Sequence, residues 1–600
     1  MSSADFTKVK VIDDVLATTD SVKYAVVKGS QNVTPGKYTA ISNSNSSVTW
    51  NIQTPSEATV LSRRIMIRNT ITLSITGTLG AGAGVNDLLV NYGLTEALGP
   101  YPFQSLCNTI QMTINNNTIS QNMRDVMFAL LRFGDRREAE RYNNATPVGY
   151  DSYWDYADAV GSNNSPFGAF NDLSPDESYQ GRGVSRILSI TGNTPGPGAK
   201  NITLQFETIE PLLLSPLIFS DPKTNNQGFY GIQVMNIVAN VGSTNRILRS
   251  AQRLIGGAAT ALTVSLLAPN AFDTPQLFIQ YYTRQPSDLV PARNVVPFAE
   301  YPRYLSSGQN IIPAAIPLTP AVAGSTSIQP GVLPSFASQT ISLNSIPDRL
   351  IIFARKVLSN QTAYDADSFF PISRILVNFN NKAGLLSSAT TWDLWRMSVE
   401  SGSNATWAEF SGISQKSAAA SASQAAVSGV RQIATSGAPL VLSMGKHIEL
   451  DDVFAPGSIG QFQLQFQVDI NNFTSDVYAA GSWELVLITQ NTGVFVLERG
   501  TSQTYTAILS RSDVLAASSQ PGYKHSDVVR MVGGGVEDGY KDLSGMGNAG
   551  SGFAGSGAAG SGNAGSGFAG SGNAGSGNAG SGNAGSGLAG SGRRISKHLQ

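Results

Sequence analysis

The side chains able to do acid–base or metal chemistry are few. Three histidines occur in 600 residues: His447, His525 and His598. The last two lie near the C-terminus, so a Ser-His-Asp or Cys-His site in the body has one candidate base, His447. In "GKHIELDD" (445–452), an extended chain puts His447, Glu449 and Asp451 on one face, because side chains alternate along a strand. One imidazole with two carboxylates suits a divalent metal. More often such residues form a solvated strand face. No nucleophile motif or phosphate-cradling glycine loop accompanies it. Asp451 and Asp452 point to opposite faces, which argues against a paired-carboxylate glycosidase. The single cysteine, Cys107, sits in apolar "YPFQSLCNTIQM" and reads as a small buried hydrophobe rather than a reactive thiol. One cysteine allows no intrachain disulfide, so folding needs no secretory oxidation. The expectation is a chain with no catalytic residues, no cofactor and no metal.

Such a chain must be read through the elements that build it. Six hundred residues exceed one core and imply two large domains. Forty basic and 41 acidic residues give a net charge of −1, which removes the basic excess that phosphate binding needs. No direct sequence-specific nucleic-acid binding is expected. No apolar run is long enough to span a bilayer, and the N-terminus lacks a signal-peptide pattern.

The body reads as β. In "QFQLQFQVDI", Phe462, Leu464, Phe466, Val468 and Ile470 alternate with polar residues, a period of two. Ile71, Leu73 and Ile75 repeat the pattern. So do Val48, Trp50 and Ile52, and Ile202, Leu204 and Phe206. Gly, Pro, Asn and Ser clusters separate these runs, as in antiparallel sandwiches or barrels. One amphipathic helix is predicted from Met123 to Phe133, on the spacing of Met123, Val126, Met127, Leu130 and Leu131. Asn122 would cap it, Asp125 would help the first turn, and Gly134 would end it. The charge run "RFGDRREAERY" (132–142) behind it interleaves acids with arginines and reads as a solvated or inter-subunit segment.

The chain also repeats itself. "IQMTINN" (110–116) and "ILVNFNN" (375–381) each alternate three apolar residues, close with Asn-Asn and precede a helical stretch. "RRIMIR" (63–68) has a counterpart in "DRLIIF" (348–353). The offsets, 265 and 285 residues, suggest a duplicated domain. Between the copies, "RQPSDLVPARNVVPFAEYPRY" (284–304) has four prolines and no clean alternation, so it reads as a connector.

The C-terminal stretch differs in kind. Of 61 glycines, 24 lie between Gly533 and Gly592, and residues 551–590 are eight "SGxAG" pentads. Such a segment buries too little apolar surface to offset its ordering entropy, so a flexible linker is expected, spanning roughly 35 Å over its length. It ends in the basic tip "RRISKHLQ", either a solvated terminus or a transient contact for an anionic partner.

Several segments, in order and spacing, resemble the major capsid proteins of virophages and polinton-like viruses. These are "YAVVKGSQNVTPGKY" (24–38), "TPSEATVLSRRIMIR" (54–68), "YPFQSLCNTIQMTINNNTIS" (101–120), "LNSIPDRLIIFAR" (343–355), "VNFNNKAGLLS" (377–387) and "NATWAEFSG" (404–412). The resemblance spans roughly residues 20 to 530. It implies an all-β double jelly roll, two tandem jelly-roll sandwiches with short helices in the loops and a disordered Gly/Ser/Ala-rich C-terminal tail. The expected division is an N-terminal arm (1–22), jelly roll 1 (23–285), a linker (286–304), jelly roll 2 (305–530) and the tail (531–600). "IPAAIPLTPAVAGSTSIQPG" (312–331) would suit an exposed tower.

The resemblance further implies a homotrimer that forms a pseudo-hexameric capsomer in an icosahedral shell. Its partners would be neighbouring capsomers, penton and minor capsid proteins, and a maturation cysteine protease of the adenovirus type. Its place would be the virion, after assembly in the host cytoplasm or nucleus. Such a protease cleaves after an apolar residue followed by x-Gly-Gly or x-Gly-x-Gly. "MVGGG" (Met531, Val532, Gly533, Gly534, Gly535) matches at the border of the tail. "LSGMG" (Leu543, Gly545, Gly547) and "LAGSG" (Leu588, Gly590, Gly592) are secondary candidates. The alternative is that the triple glycine is only a hinge. The N-terminal arm would tie neighbouring capsomers or touch a membrane, and the sequence does not choose between these. A second reading of the whole chain is a carbohydrate-binding sandwich that uses exposed aromatics such as Trp154 and Tyr156.

Overall fold

The computed structural model describes residues 32–510, apart from 131–184, 218–227, 284–292, 319–326, 418–429 and some shorter stretches. The N-terminal arm, the tail with its glycine motifs, "RFGDRREAERY", Trp154, Tyr156, His525 and His598 lie outside the described residues.

The alternating runs become strands with one face inward. Val48, Trp50 and Ile52 are buried in strand Ser47–Gln53; Ile71, Leu73 and Ile75 are buried in Met66–Leu79. Ile202, Leu204 and Phe206 are buried in Gly198–Pro211, and Phe462 to Ile470 in Ile459–Asn472.

Two sandwiches result. One sheet of the first runs, in spatial order, Asn32–Thr39, Phe272–Thr283, Met66–Leu79, Gly198–Pro211, Arg186–Thr191. The other runs Ser42–Asn43, Ser47–Gln53, Val234–Val241, Cys107–Ile114, Asn117–Asn122. In the second sandwich, one sheet runs Arg293–Glu300, Trp483–Glu498, Arg349–Lys356, Leu440–Ser443. The other runs Gly331–Ala337, Ile459–Asn472, Ile372–Phe379, Lys382–Leu385. Trp50 and Phe272 each meet Phe103 edge-on in the first core; Trp483 meets Phe336 edge-on at 4.8 Å in the second.

The repeat is visible in the pairing. Strand Met66–Leu79 lies between Phe272–Thr283 and Gly198–Pro211; strand Arg349–Lys356 lies between Trp483–Glu498 and Leu440–Ser443. Cys107–Ile114 and Ile372–Phe379 each enter a hairpin through an asparagine at φ 52°, Asn115 and Asn380. That left-handed conformation favours asparagine over most side chains.

The connector needs correcting. Residues 293–300 and 303–307 are strands, both paired with Trp483–Glu498. Pro297 is tolerated because, among the described residues, strand Arg293–Glu300 has this one ladder neighbour, opposite Val494, and no ladder on its other edge that would need the missing N–H. The expected tower segment opens as a two-stranded ribbon, Ile316–Leu318 with Ser327–Gln329, on which Ile316 and Leu318 are exposed.

Trp483 is fully buried and its Nε1–H donates to Asn310 O at 2.7 Å. Trp483→Ala is expected to cost about 3–5 kcal/mol, read as a lower denaturant midpoint. A midpoint unchanged from wild type would mean that the second core does not rest on this ring.

Candidate functional site at the junction of the two sandwiches

The helix predicted from Met123 is described over Met123–Leu130 and capped as expected, with Asp125 N–H donating to Asn122 Oδ1 at 3.1 Å. It buries side chains in two directions. Met123 and Met127 enter the first core. Val126 and Ala129 lie on the second sandwich, in a cluster with Ile351, Phe353, Phe369, Val441, Val486 and Ile488. Strand Arg349–Lys356 is therefore buried on both faces over residues 350–355.

Asp125 lies between these two faces, with no exposed surface. Its Oδ1 accepts from Arg355 Nη2 and its Oδ2 from Arg303 Nη1. Arg355, 2% exposed, also donates to Glu484 Oε1 through Nε at 3.0 Å and Nη2 at 2.8 Å, and its guanidinium lies 5.5 Å from the Phe353 ring. Two arginines thus face two carboxylates. Burial is the largest single influence on Asp125 and would raise its pKa. The combined pull of Arg355, Arg303 and Arg124 outweighs it and holds the carboxyl below the ordinary aspartate range.

A second zone reinforces the junction. Val296, Phe298, Phe495 and Leu497 come from the second sandwich's strands yet belong to the first core, where Phe495 meets Phe229 edge-on at 6.3 Å. Ser502 N–H donates to Asn116 Oδ1 at 2.8 Å, and Ala299 N–H to Ser215 Oγ at 2.8 Å. Ser250 N–H donates to Ala363 O at 2.8 Å.

Cys107 is buried, as expected. Burial first, and then the nearby Glu210 carboxylate, push its thiol pKa up. Glu210 is itself buried. It accepts from Phe103 N–H at 2.6 Å, Gln104 N–H at 3.2 Å and Gln104 Nε2 at 3.1 Å, but burial dominates and raises its pKa.

The metal trio does not assemble. Residues 445–447 form a turn, not a strand, and the three side chains part. His447 Nδ1 accepts from Ser443 N–H at 3.2 Å, and its Nε2 faces Glu400 at 3.4 Å. Glu449 and Asp451 pair with Lys382 instead. Among the described residues, no group of three or more His, Cys, Asp or Glu is placed to hold a metal.

Sequence reading missed the Asp125–Arg303–Arg355–Glu484 network. Its one visible signal was Arg355 closing the apolar run "LIIFAR", since an arginine there must find a carboxylate partner.

Two sandwiches side by side, joined through a charged and apolar seam, have the architecture of a double jelly roll. The comparisons agree. A family described as Sputnik virophage major capsid protein 1st domain matches residues 4–282, and one described as major capsid protein V20 C-terminal domain matches residues 301–493. The capsid protein V20 of Sputnik virophage is 25% identical over 545 residues, covering 88% of this chain and 84% of that protein. A chain of the Sputnik virophage solved by cryo-EM superposes with a TM-score of 0.66 at 23% identity, over 88% of this chain and 99% of that one. The mavirus major capsid protein gives 0.59 at 13% identity, over 85% and 98%. The chain belongs to the virophage major capsid protein family, whose members are components of the virion shell.

Asp125→Ala would remove the buried carboxylate that Arg303 and Arg355 share, leaving Arg355 with Glu484 alone, and is expected to cost about 3–5 kcal/mol, read by chemical denaturation. A loss below about 1 kcal/mol would refute the central role of the network.

His447 has a lowered pKa, chiefly through burial, which outweighs the Glu400 contact. A depressed histidine contributes stability above its unfolded value of about 6.5, and that stability is lost as pH falls through the folded value. His447→Gln should therefore lose less thermal stability than wild type between pH 7 and pH 5. Equal losses would contradict this.

Proposed function

We propose that three copies of this capsid protein form a capsomer of pseudo-sixfold outline, and that such capsomers tile an icosahedral shell. The observation that carries this reading is the seam. Buried charges and a shared core make the two jelly rolls one rigid block, and three two-roll blocks in a ring supply six similar corners. Neighbouring capsomers, penton and minor capsid proteins would be its partners, and its role would be structural rather than catalytic. By chain segment, residues 23–285 form the first roll and 305–530 most of the second, with strand Arg293–Glu300 of the intervening stretch 286–304 completing the second roll's sheet; the arm is 1–22 and the tail 531–600.

The tail belongs to assembly, and a maturation cysteine protease removes it at Met531-Val532-Gly533-Gly534-Gly535. Leu543 with Gly545 and Gly547, and Leu588 with Gly590 and Gly592, are secondary positions. An extended glycine segment beside an apolar anchor is what a narrow protease channel accepts.

A carbohydrate platform is the weaker reading. The exposed tryptophans that the structure describes, Trp392 and Trp407, stand at 61° to each other rather than forming the flat surface a sugar ring would stack on.

Native mass measurement of the purified chain should give three times 63.2 kDa, or less after tail loss, with hexagonal particles by negative stain. A stable monomer without lateral association would overturn the capsomer. Intact-mass analysis of particle-derived protein should lack the pentads; finding all eight would overturn tail removal.

A further inference from the structure

The helix Met123–Leu130 follows the first roll's Asn115 hairpin and covers the outer face of the second roll's sheet. The helix Thr391–Glu400 follows the corresponding Asn380 hairpin in the second roll. Among the described residues, its outward side has no such cover. Trp392 is 53% exposed, Val399 is 42% exposed, and Trp407 from the adjoining helix Trp407–Ser411 is 37% exposed. These side chains are organised: Trp392 lies 4.7 Å from Trp395 and 4.9 Å from Trp407, ring centre to ring centre.

The first roll has a face to match. In the second roll, Ile351 stands opposite Ile488 on one side and Val441 on the other, all fully buried beneath the first roll's helix. At the same register in the first roll, Met66 stands opposite Phe278 and Pro211, and the next outward position, Arg68, stands opposite Gln276 and Ile209. Met66, Arg68, Ile209, Gln276 and Phe278 are only partly buried. The chain therefore carries one satisfied helix-on-sheet seam and both halves of a second one.

We propose that the tryptophan face of helices Thr391–Glu400 and Trp407–Ser411 docks on the outer sheet face around Met66, Ile209 and Phe278 of a second copy of this chain. This rests on the trimer reading and names its contact. The two faces are different surfaces, so the contact is heterologous and repeats from copy to copy until the ring closes. Continuity with the seam inside the chain is the argument for this occupant. An exposed aromatic cluster of this kind also has the composition of an interface centre.

The test is the assembly state of wild type and of Trp392→Glu/Trp407→Glu, with near-ultraviolet circular dichroism as the fold control. A trimeric wild type and a folded monomeric variant support the proposal. A trimeric wild type and a trimeric variant overturn it and leave the trimer reading standing. A monomeric wild type overturns the trimer reading, and the proposal with it. Should the variant misfold, amide hydrogen exchange on wild type decides. Protection of residues 391–400 and 66–72 that is lost when the trimer is diluted to monomers supports the contact; exchange unchanged in both segments overturns it.

Discussion

The carboxylate of Asp125 is the constraint on which the two-roll block depends. It sits on a helix of the first roll, and its partners come from the connector, at Arg303, and from a central strand of the second sheet, at Arg355. Taking four charges out of water is costly, and their attraction repays that cost only when the geometry is met. An apolar contact tolerates sliding; Val126 and Ala129 could pack on Ile351, Phe353 and Val486 in several registers. The guanidinium of Arg355 cannot, because it must satisfy Asp125 and Glu484 together. The network thus sets where the helix lies, and the helix sets how one roll stands beside the other.

That position makes the shared core possible. With the seam fixed, strands Arg293–Glu300 and Trp483–Glu498 run past their own sandwich and place Val296, Phe298, Phe495 and Leu497 in the core of the other. The residues that looked like a linker are a strand because strand Trp483–Glu498 changes neighbours along its length. Residues 483–490 pair with Arg349–Lys356 and residues 491–498 with Arg293–Glu300. A flexible tether would let the rolls reorient; a continuous strand shared between them does not.

The period-two strands, their Asn-Asn ends and the capped helix were legible in the sequence, because each is a local pattern with a local cause; the short return strands Asn117–Asn122 and Lys382–Leu385 after the Asn-Asn pairs were not. The duplicated architecture was legible too, from two short matches at similar offsets. What stayed hidden depends on distant partners. The four prolines of residues 284–304 argued against strands, and only a free sheet edge, a tertiary fact, removes that objection. The His447, Glu449 and Asp451 trio presumed an extended chain, whereas the turn at residues 445–447 sends His447 towards Glu400 and the acids towards Lys382. Asp125 was visible only as a helix first-turn acid, since its real partners are 178 and 230 residues away.

The buried ionisable groups divide into two sets with opposite pH behaviour. Burial dominates at Glu210 and at Asp348, despite the bonds from Thr492 to the latter, and raises both pKa values. Stability from such groups is present at low pH and is lost as pH rises through their folded values. Asp125 and His447 have lowered values, so their contributions are lost as pH falls. Each set limits the other, and the block is most stable between the two limits. The acid limit is set at the seam between the rolls, by Asp125, and within the second roll, by His447. The alkaline limit is set inside each roll, by Glu210 in the first and Asp348 in the second. Strong acid therefore acts on the orientation of the rolls as well as on their interiors, because it discharges the one carboxylate that Arg303 and Arg355 both need.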